Sequence, residues 1–322
     1  MRHIRFSAFF AVSALAMLLI TGCSKDDPVD ANENEEALFL SYGAGNETDT
    51  KDAFVTDMEA LDETQELKAL ITGLRKSTAA PVTPIRWGRR IDSVRRVLLR
   101  PIVKQGDTIA IATVQTTFNG RFIVQALSGV DTVVIQKPYT EIVSRSLRFE
   151  RIAHTNRPRL NWRLDAINVL SGGTGDPLMP TIRNIAIQQV EVVLPNETLT
   201  VTDPTTYFMQ FNRRWLRGLP VLNNLQVTLR VTVLSEKSEA DIVTLHKLPG
   251  AFGLHHTPLT MVSETQSGSK YLRVFEHTWT ISGSAKKYAN LMVSATTKES
   301  LYDNATTNFS SVVWGIPYKH SN

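Results

Sequence analysis

Cysteine is nearly absent from this chain of 322 residues, which contains only Cys23. A lone cysteine excludes internal disulfides, and it also excludes zinc sites built from several cysteines. Long apolar runs are equally scarce. Beyond the segment that starts at Phe6, no stretch of the sequence is long enough to cross a membrane as a helix. Any attachment of the remaining chain to a membrane therefore requires another anchor.

The one cysteine follows an N-terminal apolar segment. Arg2 and Arg5 precede the mostly apolar residues 6–20. As a helix these residues would span roughly 22 Å, which is short of the roughly 30 Å hydrocarbon core. A basic start, a short apolar run and small residues before a processing point are typical of a secretory signal peptide. We therefore expect residues 1–22 to be removed.

Residues 20–23, ITGC, resemble the lipobox of bacterial lipoproteins. The resemblance implies that a diacylglycerol, with palmitate-type acyl chains, is attached to the thiol of Cys23. Two acyl chains are enough for stable anchoring. The alternative is an ordinary signal peptide that happens to contain a cysteine.

Residues 24–27, SKDD, are similar to the short signal that follows the cysteine in surface-exposed lipoproteins of Bacteroidetes-type bacteria. This second resemblance implies anchoring in the outer membrane at the cell surface. A position that faces the periplasm stays open.

Charge is distributed unevenly along the chain. Residues 24–66 contain 14 acidic and two basic residues, whereas residues 67–322 contain 31 basic and 17 acidic ones. The start of the acidic stretch is polar and has no periodicity, which is typical of disorder. We therefore predict that residues 23–50 form an acidic disordered tether behind the lipidated cysteine.

The next segment, residues 51–172, is predicted to be an α+β domain. Apolar residues at helical spacing predict two short helices between 54 and 74. After Pro84 the pattern changes to the alternation of apolar and polar residues that favours strands. Asn119 and Gly120 predict a hairpin turn, and residues 104–107, KQGD, predict another. Helices thus precede a meander of antiparallel strands.

This order of elements, with RFERI at 148–152 and NWRLDAI at 161–167, resembles the cone-shaped fold of the nuclear transport factor 2-like superfamily. The resemblance implies a pocket between a curved sheet and the helices, lined here by Trp87, Phe118 and Trp162. Packing in a core is the alternative for these rings. The superfamily hosts many functions, so the fold would not decide the activity.

A glycine- and proline-containing linker at residues 173–180 leads to a predicted second domain at 181–322. Seven segments between 182 and 316 alternate apolar and polar residues and are separated by turn-forming residues. This pattern predicts an all-β antiparallel sandwich. It looks like an immunoglobulin or fibronectin type III module without the inter-sheet cysteines.

Arginines are concentrated in two predicted strand regions. Seven basic residues and one acid lie between 85 and 104, and six arginines and one acid lie between 145 and 163. Neighbouring strands would pool this charge on one face, which suits phosphate or carboxylate groups. The alternative is that these arginines face water or pair with acids at 52–66. The candidate binding residues carry a guanidinium or an indole; they are Trp87, Arg89, Arg95, Trp162, Trp215 and Arg217.

No arrangement of residues indicates catalysis. A proton shuttle is required for most reactions in such a pocket, but His154 lies in a predicted loop. Asp92 stands among arginines, which make it a poor base. The remaining histidines lack the spacing of metal ligands. We therefore predict no catalytic residues, no metal and no cofactor.

These patterns favour a non-catalytic lipoprotein of the outer membrane or cell surface, with a binding or scaffolding role. Its expected partners are the membrane, through the diacylglycerol on Cys23, and a glycan or another anionic envelope ligand or protein. Nucleic acid is not expected, since no motif for it is present. The alternatives are an enzyme that acts on a small molecule or glycan in the cone domain and a structural subunit of an envelope complex.

Overall fold

Antiparallel β-strands form most of the described structure. The computed structural model describes residues 31–44, 61–63, 82–175, 184–210, 220–221, 226–246, 256–280, 288–303 and 309–320. The helices in these ranges are α1 (Ala31–Ala44), α2 (Pro158–Asn161) and α3 (Lys298–Tyr302).

The strands of the same ranges fall into two sheets. Those before residue 210 are β1 (Thr83–Gln105), β2 (Ile109–Ser128), β3 (Asp131–Arg151), β4 (Trp162–Asn168), β5 (Leu170–Thr174), β6 (Ile185–Val193), β7 (Thr198–Val201) and β8 (Phe208–Gln210). Those after it are β9 (Pro220–Val221), β10 (Gln226–Ser235), β11 (Ile242–His246), β12 (His256–Pro258), β13 (Thr260–Ser267), β14 (Lys270–Thr280), β15 (Tyr288–Thr296) and β16 (Ser311–His320).

The first three strands are unusually long. They contain 23, 20 and 21 residues and pair consecutively along almost their whole length. Gly106 and Gly129 form the connecting turns with φ of 61° and 64°, a backbone conformation that glycine adopts without strain. Three irregularities in the pairing of β1 with β2 interrupt the ladder. Such bulges increase local bending, so this sheet is curled.

The curled sheet combines strands from both halves of the chain. Its main order is β1-β2-β3-β5-β16-β15-β11-β12, with β4, β8 and β9 attached at the sides. The second sheet has the order β13-β14-β10-β6-β7. Since β5 pairs with β3 on one side and with β16 on the other, the C-terminal strands extend the sheet that the N-terminal strands begin.

Strands β11, β15 and β16 have two different environments. Val312, Trp314 and Ile316 pack with residues of β6 and β10 in an apolar core between the two sheets. Val313 and Met292 lie on the opposite side, inside the curl, with Phe118 and Phe122. The period of two along a strand explains this division, because alternate side chains point to opposite faces.

The two ends of the curled sheet approach each other. The ring of Trp87 on β1 stacks on the ring of His256 on β12, with centroids 5.5 Å apart. Glu63 bridges the free edge of β1: its backbone N–H donates to the carbonyl of Arg89 over 2.8 Å, and its Oε2 accepts from the N–H of Arg89 over 2.8 Å. We call this junction, formed by Glu63, Trp87 and His256, the seam.

Helix α1 lies against the far end of the long strands. Phe39 contacts the rings of Phe149 and Trp162 in a second apolar cluster. Glu35 of the helix accepts from Lys104 over 2.8 Å and from Arg151 over 3.1 Å. A packed helix therefore occupies residues within the stretch 23–50 for which the sequence predicts a disordered tether.

The predicted fold class is wrong. The described structure is mainly β, and a curled antiparallel sheet replaces the α+β cone with helices first. The helices expected between 54 and 74 lie outside the described residues, apart from 61–63. The strands of the expected cone share the curled sheet with part of the expected immunoglobulin-like sandwich, including β11, β15 and β16, because β5, which ends in the predicted linker, pairs with β3 and with β16.

One predicted turn is confirmed and one is wrong. A turn occurs at residues 106–108, as residues KQGD predict, but Asn119 and Gly120 lie inside β2. Gly120 is needed there for space: a Cβ atom would lie 2.1 Å from the carbonyl oxygen of Arg90. Asn119 is held from both sides, since it donates to Ser93 and accepts from Thr140. The presence of Asn119 and Gly120 is therefore explained by the close approach of β1 and β2 and not by a turn.

The predicted signal peptide, Cys23 and the first residues after it lie outside the described residues. Within the part of the chain that the structure describes, none of the helices has the length and apolar character needed to span a membrane.

Candidate functional site

The inner face of the curled sheet is rich in buried polar groups. Alternate residues along β3 point inward, and four of them carry polar or charged groups that are almost fully buried: Lys137, Tyr139, Glu141 and Arg145. The strands opposite contribute His246, Ser294 and Ser311, which are also buried. We call Arg89, Glu141, His246, Ser294 and Ser311 the inner polar network.

Arg89 is the centre of the inner polar network. Its side chain is 2% exposed and lies 3.7 Å from the carboxylate of Glu141, which is 1% exposed. Ser311 links the two: its Oγ accepts from Arg89 over 3.0 Å and donates to Glu141 over 2.7 Å. The carboxylate compensates the buried guanidinium charge, without which burial would be very costly.

The hydrogen-bond geometry also defines which ring nitrogen of His246 carries the proton. Its Nε2 atom lies 3.1 Å from Arg89 Nη1 and 2.8 Å from Ser294 Oγ. A guanidinium can only donate, so Nε2 must accept, which assigns the imidazole proton to Nδ1. A general base needs a free lone pair. Arg89 engages this one, so the Ser294–His246 pair is held in a structural arrangement.

The seam continues the network toward β12. Glu63 Oε1 forms a very short contact with Nδ1 of His256, while Oε2 of the same carboxylate accepts from the backbone of Arg89. The rings of His256 and His246 lie 6.4 Å apart. One carboxylate thus joins the first and the last strand of the curled sheet.

Several buried atoms in and beside the inner polar network have no hydrogen-bond partner among the described residues, and they include Arg89 Nε, Glu141 Oε2 and Tyr139 Oη. Burial, together with the Glu141 carboxylate, raises the pKa of Tyr139 above its ordinary value, so this phenol stays neutral. An unsatisfied buried polar atom lowers stability. These atoms therefore reduce the contribution of the inner face to stability.

Lys137 is another buried cation of the same face. Its Nζ donates to the backbone carbonyl of Glu299 over 3.1 Å. Burial lowers the pKa of Lys137 to about 8, and the charges of Asp303 and Glu299 offset only part of this effect. The charged form of Lys137 is therefore destabilised by the fold at neutral pH.

The outer face of β1 and β2 carries a separate group of arginines. Arg90 lies directly opposite Arg121 in the pairing of β1 with β2, and Arg86 and Arg95 occupy the same face of β1. Asp92 is the acid of this group and contacts both Arg90 and Arg121. We call Arg86, Arg90, Arg95 and Arg121 the outer arginine row.

Two members of the outer arginine row are available for a ligand. Arg86 and Arg95 are exposed and make no ion pair with the described residues. Along β1 they are separated by nine residues, or roughly 30 Å of extended strand. Exposed guanidinium groups bind carboxylate, sulfate and phosphate oxygens with paired donors.

Polar side chains fill the face around these arginines. Ser93, Asn119 and Thr140 form a continuous chain of hydrogen bonds across β1, β2 and β3. Arg121 donates to Gln136 over 3.1 Å. Hydroxyl and amide groups in such a position can exchange hydrogen bonds with the hydroxyl groups of a sugar.

The residues that the sequence singled out occupy different surroundings. Arg95 is exposed on the outer face, whereas Arg89 is buried in the inner polar network. Trp87 is half-buried at the seam. Trp162 is 2% exposed, with the guanidinium of Arg151 4.4 Å above its ring. Trp215, Arg217 and Cys23 lie outside the described residues.

Sequence reasoning missed most of the inner polar network. Glu141, Tyr139 and Lys137 alternate along β3, and this period of two with polar residues on one face was a usable signal. His246, Ser294 and Ser311 were missed because each looks like the polar member of an ordinary alternating strand. Only the curl of the sheet brings these three residues to Arg89.

The described residues contain no group of three or more His, Cys, Asp and Glu side chains that could hold a metal ion. No family model matches this chain, and searches among curated proteins and solved structures likewise gave no match.

Proposed function

We propose that this protein is a lipid-anchored, non-catalytic binding protein of the bacterial envelope, and that its ligand is an anionic glycan. The proposal assigns the binding surface to the outer arginine row and the anchor to Cys23. The observation that carries it is the presence of four arginines and one acid on a single face of β1 and β2.

The dimensions of the row favour a polymer. Arg86 and Arg95 are roughly 30 Å apart along the strand, so one small anion cannot contact both. An extended polysaccharide with repeated carboxylate or sulfate groups can reach both arginines at once. Several weak charged contacts along one chain then add to a useful affinity.

The envelope location rests on residues 20–27. The lipobox-like ITGC and the following SKDD support acylation of Cys23 and export to the outer membrane. Polysaccharides with acidic groups are available at such a surface. The buried state of the inner polar network supports a binding role over catalysis, because its Ser, His and Glu groups are committed to one another.

Binding can be tested with the mature chain from residue 23, in which Cys23→Ser prevents acylation. The probes are polygalacturonate and dextran sulfate, with neutral dextran as the reference. We expect both anionic polymers to bind, and we expect the affinity to fall as salt concentration rises, because exposed charges are screened. Equal binding of neutral dextran would contradict the proposal.

A matched pair of variants assigns the surface. Arg86→Gln/Arg95→Gln should weaken binding about tenfold, since the two lost exposed charge contacts together cost on the order of 1.4 kcal/mol. Lys270→Gln/Lys298→Gln removes the same charge elsewhere and should leave the affinity within about twofold. Mass spectrometry of the native protein tests the anchor separately, through the mass of acyl chains on Cys23.

A further inference from the structure

The end of the molecule where α1 begins carries an exposed apolar and cationic surface. Ile152 and Leu160 are each 53% exposed, and Arg157 and Arg159 are exposed beside them. We call these four residues the tip surface. Two large apolar side chains at this exposure, flanked by exposed arginines, form an amphipathic surface of the kind that suits a boundary between an apolar and a polar medium.

The tip surface is held in a defined conformation. The backbone N–H of Ile152 donates to the carbonyl of Asn161 over 2.7 Å. Asn161 is 5% exposed, and its side chain both donates to and accepts from the backbone of Thr155. The loop after β3 therefore presents Ile152, and helix α2 presents Leu160, from a fixed scaffold, which lowers the entropic cost of binding.

The N-terminal part of helix α1 lies at this end of the molecule. Glu35 contacts Lys104 and Arg151 at the end of the long strands, while Gly43 approaches Val114 and Leu98 farther in. Helix α1 also packs against α2. The N-terminal end of α1 thus lies beside the tip surface.

The distance to the acylated residue is short. Helix α1 starts at Ala31, eight residues after Cys23, and a fully extended chain over these eight steps spans about 28 Å. Strand β2 alone extends about 60 Å, and Val130, at its opposite end, is 98% exposed. The end with the tip surface is therefore the one that the acyl chains hold near the membrane.

We propose that the tip surface contacts the membrane that holds the acyl chains of Cys23, with Ile152 and Leu160 in the interfacial region and Arg157 at the lipid phosphates. This inference rests on the proposed acylation of Cys23. Apolar side chains flanked by arginine are suited to this boundary. Arg157 makes no ion pair with the described residues, so its charge is available.

The acidic residues near the tip surface repel an anionic membrane only weakly, because most of their charge is paired. Glu35 is held by Lys104 and Arg151, and Glu150 is held by Arg163. The acids at 26, 27 and 30 belong to the connection between Cys23 and α1 and not to the tip surface. A membrane-bound body with this tip inward is thus consistent with the charges.

The test uses the acylated mature protein in phosphatidylcholine–phosphatidylglycerol vesicles. Since Cys23 is consumed by the lipid, one new cysteine can be labelled with an environment-sensitive dye. We expect a dye at Leu160→Cys to show blue-shifted emission and loss of quenching by aqueous iodide. A dye at Val130→Cys, at the opposite end, should stay fully quenched. Ile152→Cys replaces Leu160→Cys if the latter fails to fold.

Charge reversal provides the second measurement. Arg157→Glu, combined with the label at 160, should restore much of the iodide quenching, whereas Lys270→Glu should not. Equal quenching at 160 and 130 in acylated protein would overturn the inference. Absence of acyl chains on Cys23 by mass spectrometry would instead overturn the anchoring part of the proposed function, so the two failures are distinguishable.

Discussion

Arg86 and Arg89 stand three residues apart on β1, yet their surroundings are opposite. Arg89 is 2% exposed, and its guanidinium contacts His246, Ser311 and Glu141. Arg86 is exposed and makes no ion pair with the described residues. The same side chain thus contributes to the interior of the fold at one position and to the outer arginine row at the other.

The difference in burial gives the two arginines different roles: Arg89 affects the stability of the fold, and Arg86 is available to bind a ligand. A buried guanidinium must be compensated, since an isolated charge in the interior costs several kcal/mol. An exposed guanidinium is hydrated, and its contribution to stability is small. The inward arginine is therefore tied to its partners, whereas the outward ones retain their donors for a ligand.

The largest expected loss of stability comes from breaking the buried ion pair of Arg89 and Glu141. Glu141→Leu leaves Arg89 buried without its carboxylate, and the free energy of unfolding should fall by about 3–5 kcal/mol. Urea unfolding followed by circular dichroism measures this loss. The double variant Arg89→Met/Glu141→Leu should recover most of it, because neither charge of this pair is then left buried without its partner. A double variant less stable than the single one would contradict this view of the network.

In the apolar core between the sheets, a second substitution should not restore the stability that the first one removes. Leu229 is fully buried there, and Leu229→Ala should cost about 3 kcal/mol through lost burial and a cavity. A second substitution, Val293→Ala, should add to this loss and not repair it. If Val293→Ala restored the stability lost in Leu229→Ala, the apolar core and the inner polar network would not differ in the way proposed.

Lys137 gives a smaller effect that depends on pH. Its pKa falls from 10.5 to about 8 on folding, so the unfolded chain binds more protons between these values. The contribution of Lys137 to stability therefore rises with pH across the window from 8 to 10.5. Lys137→Met should raise the free energy of unfolding at pH 7 by about 1–2 kcal/mol, since the charged form costs up to about 3. Equal pH slopes in the variant and the parent protein would refute this assignment.

The strands themselves could be predicted from the sequence more reliably than their arrangement. Segments around β6, β10, β14, β15 and β16 show the alternation that predicts strands, and strands occur there. Their division between two sheets could not be read from this pattern, because alternation identifies faces and not partners. The pairing of β5 with β16 depends on contacts between residues more than 100 positions apart, which a local pattern does not encode.

The outer arginine row could not be predicted from the sequence because of one bulge in β1. The bulge of β1 between Ile91 and Ser93 inverts the alternation, so that Arg90 and Arg95 share a face although their spacing is odd. A strictly regular strand would place these two arginines on opposite sides. Clustering of arginines was visible in the sequence, but their assignment to the inside or the outside of the sheet was not.

The most direct test of the account measures stability and binding together on the two kinds of arginine. Arg89→Gln should lower the melting temperature markedly, whereas Arg86→Gln/Arg95→Gln should leave it nearly unchanged and weaken polygalacturonate binding about tenfold. Separation of the two effects supports distinct structural and binding roles on one strand. Unchanged affinity in the folded outer variant would contradict the central claim.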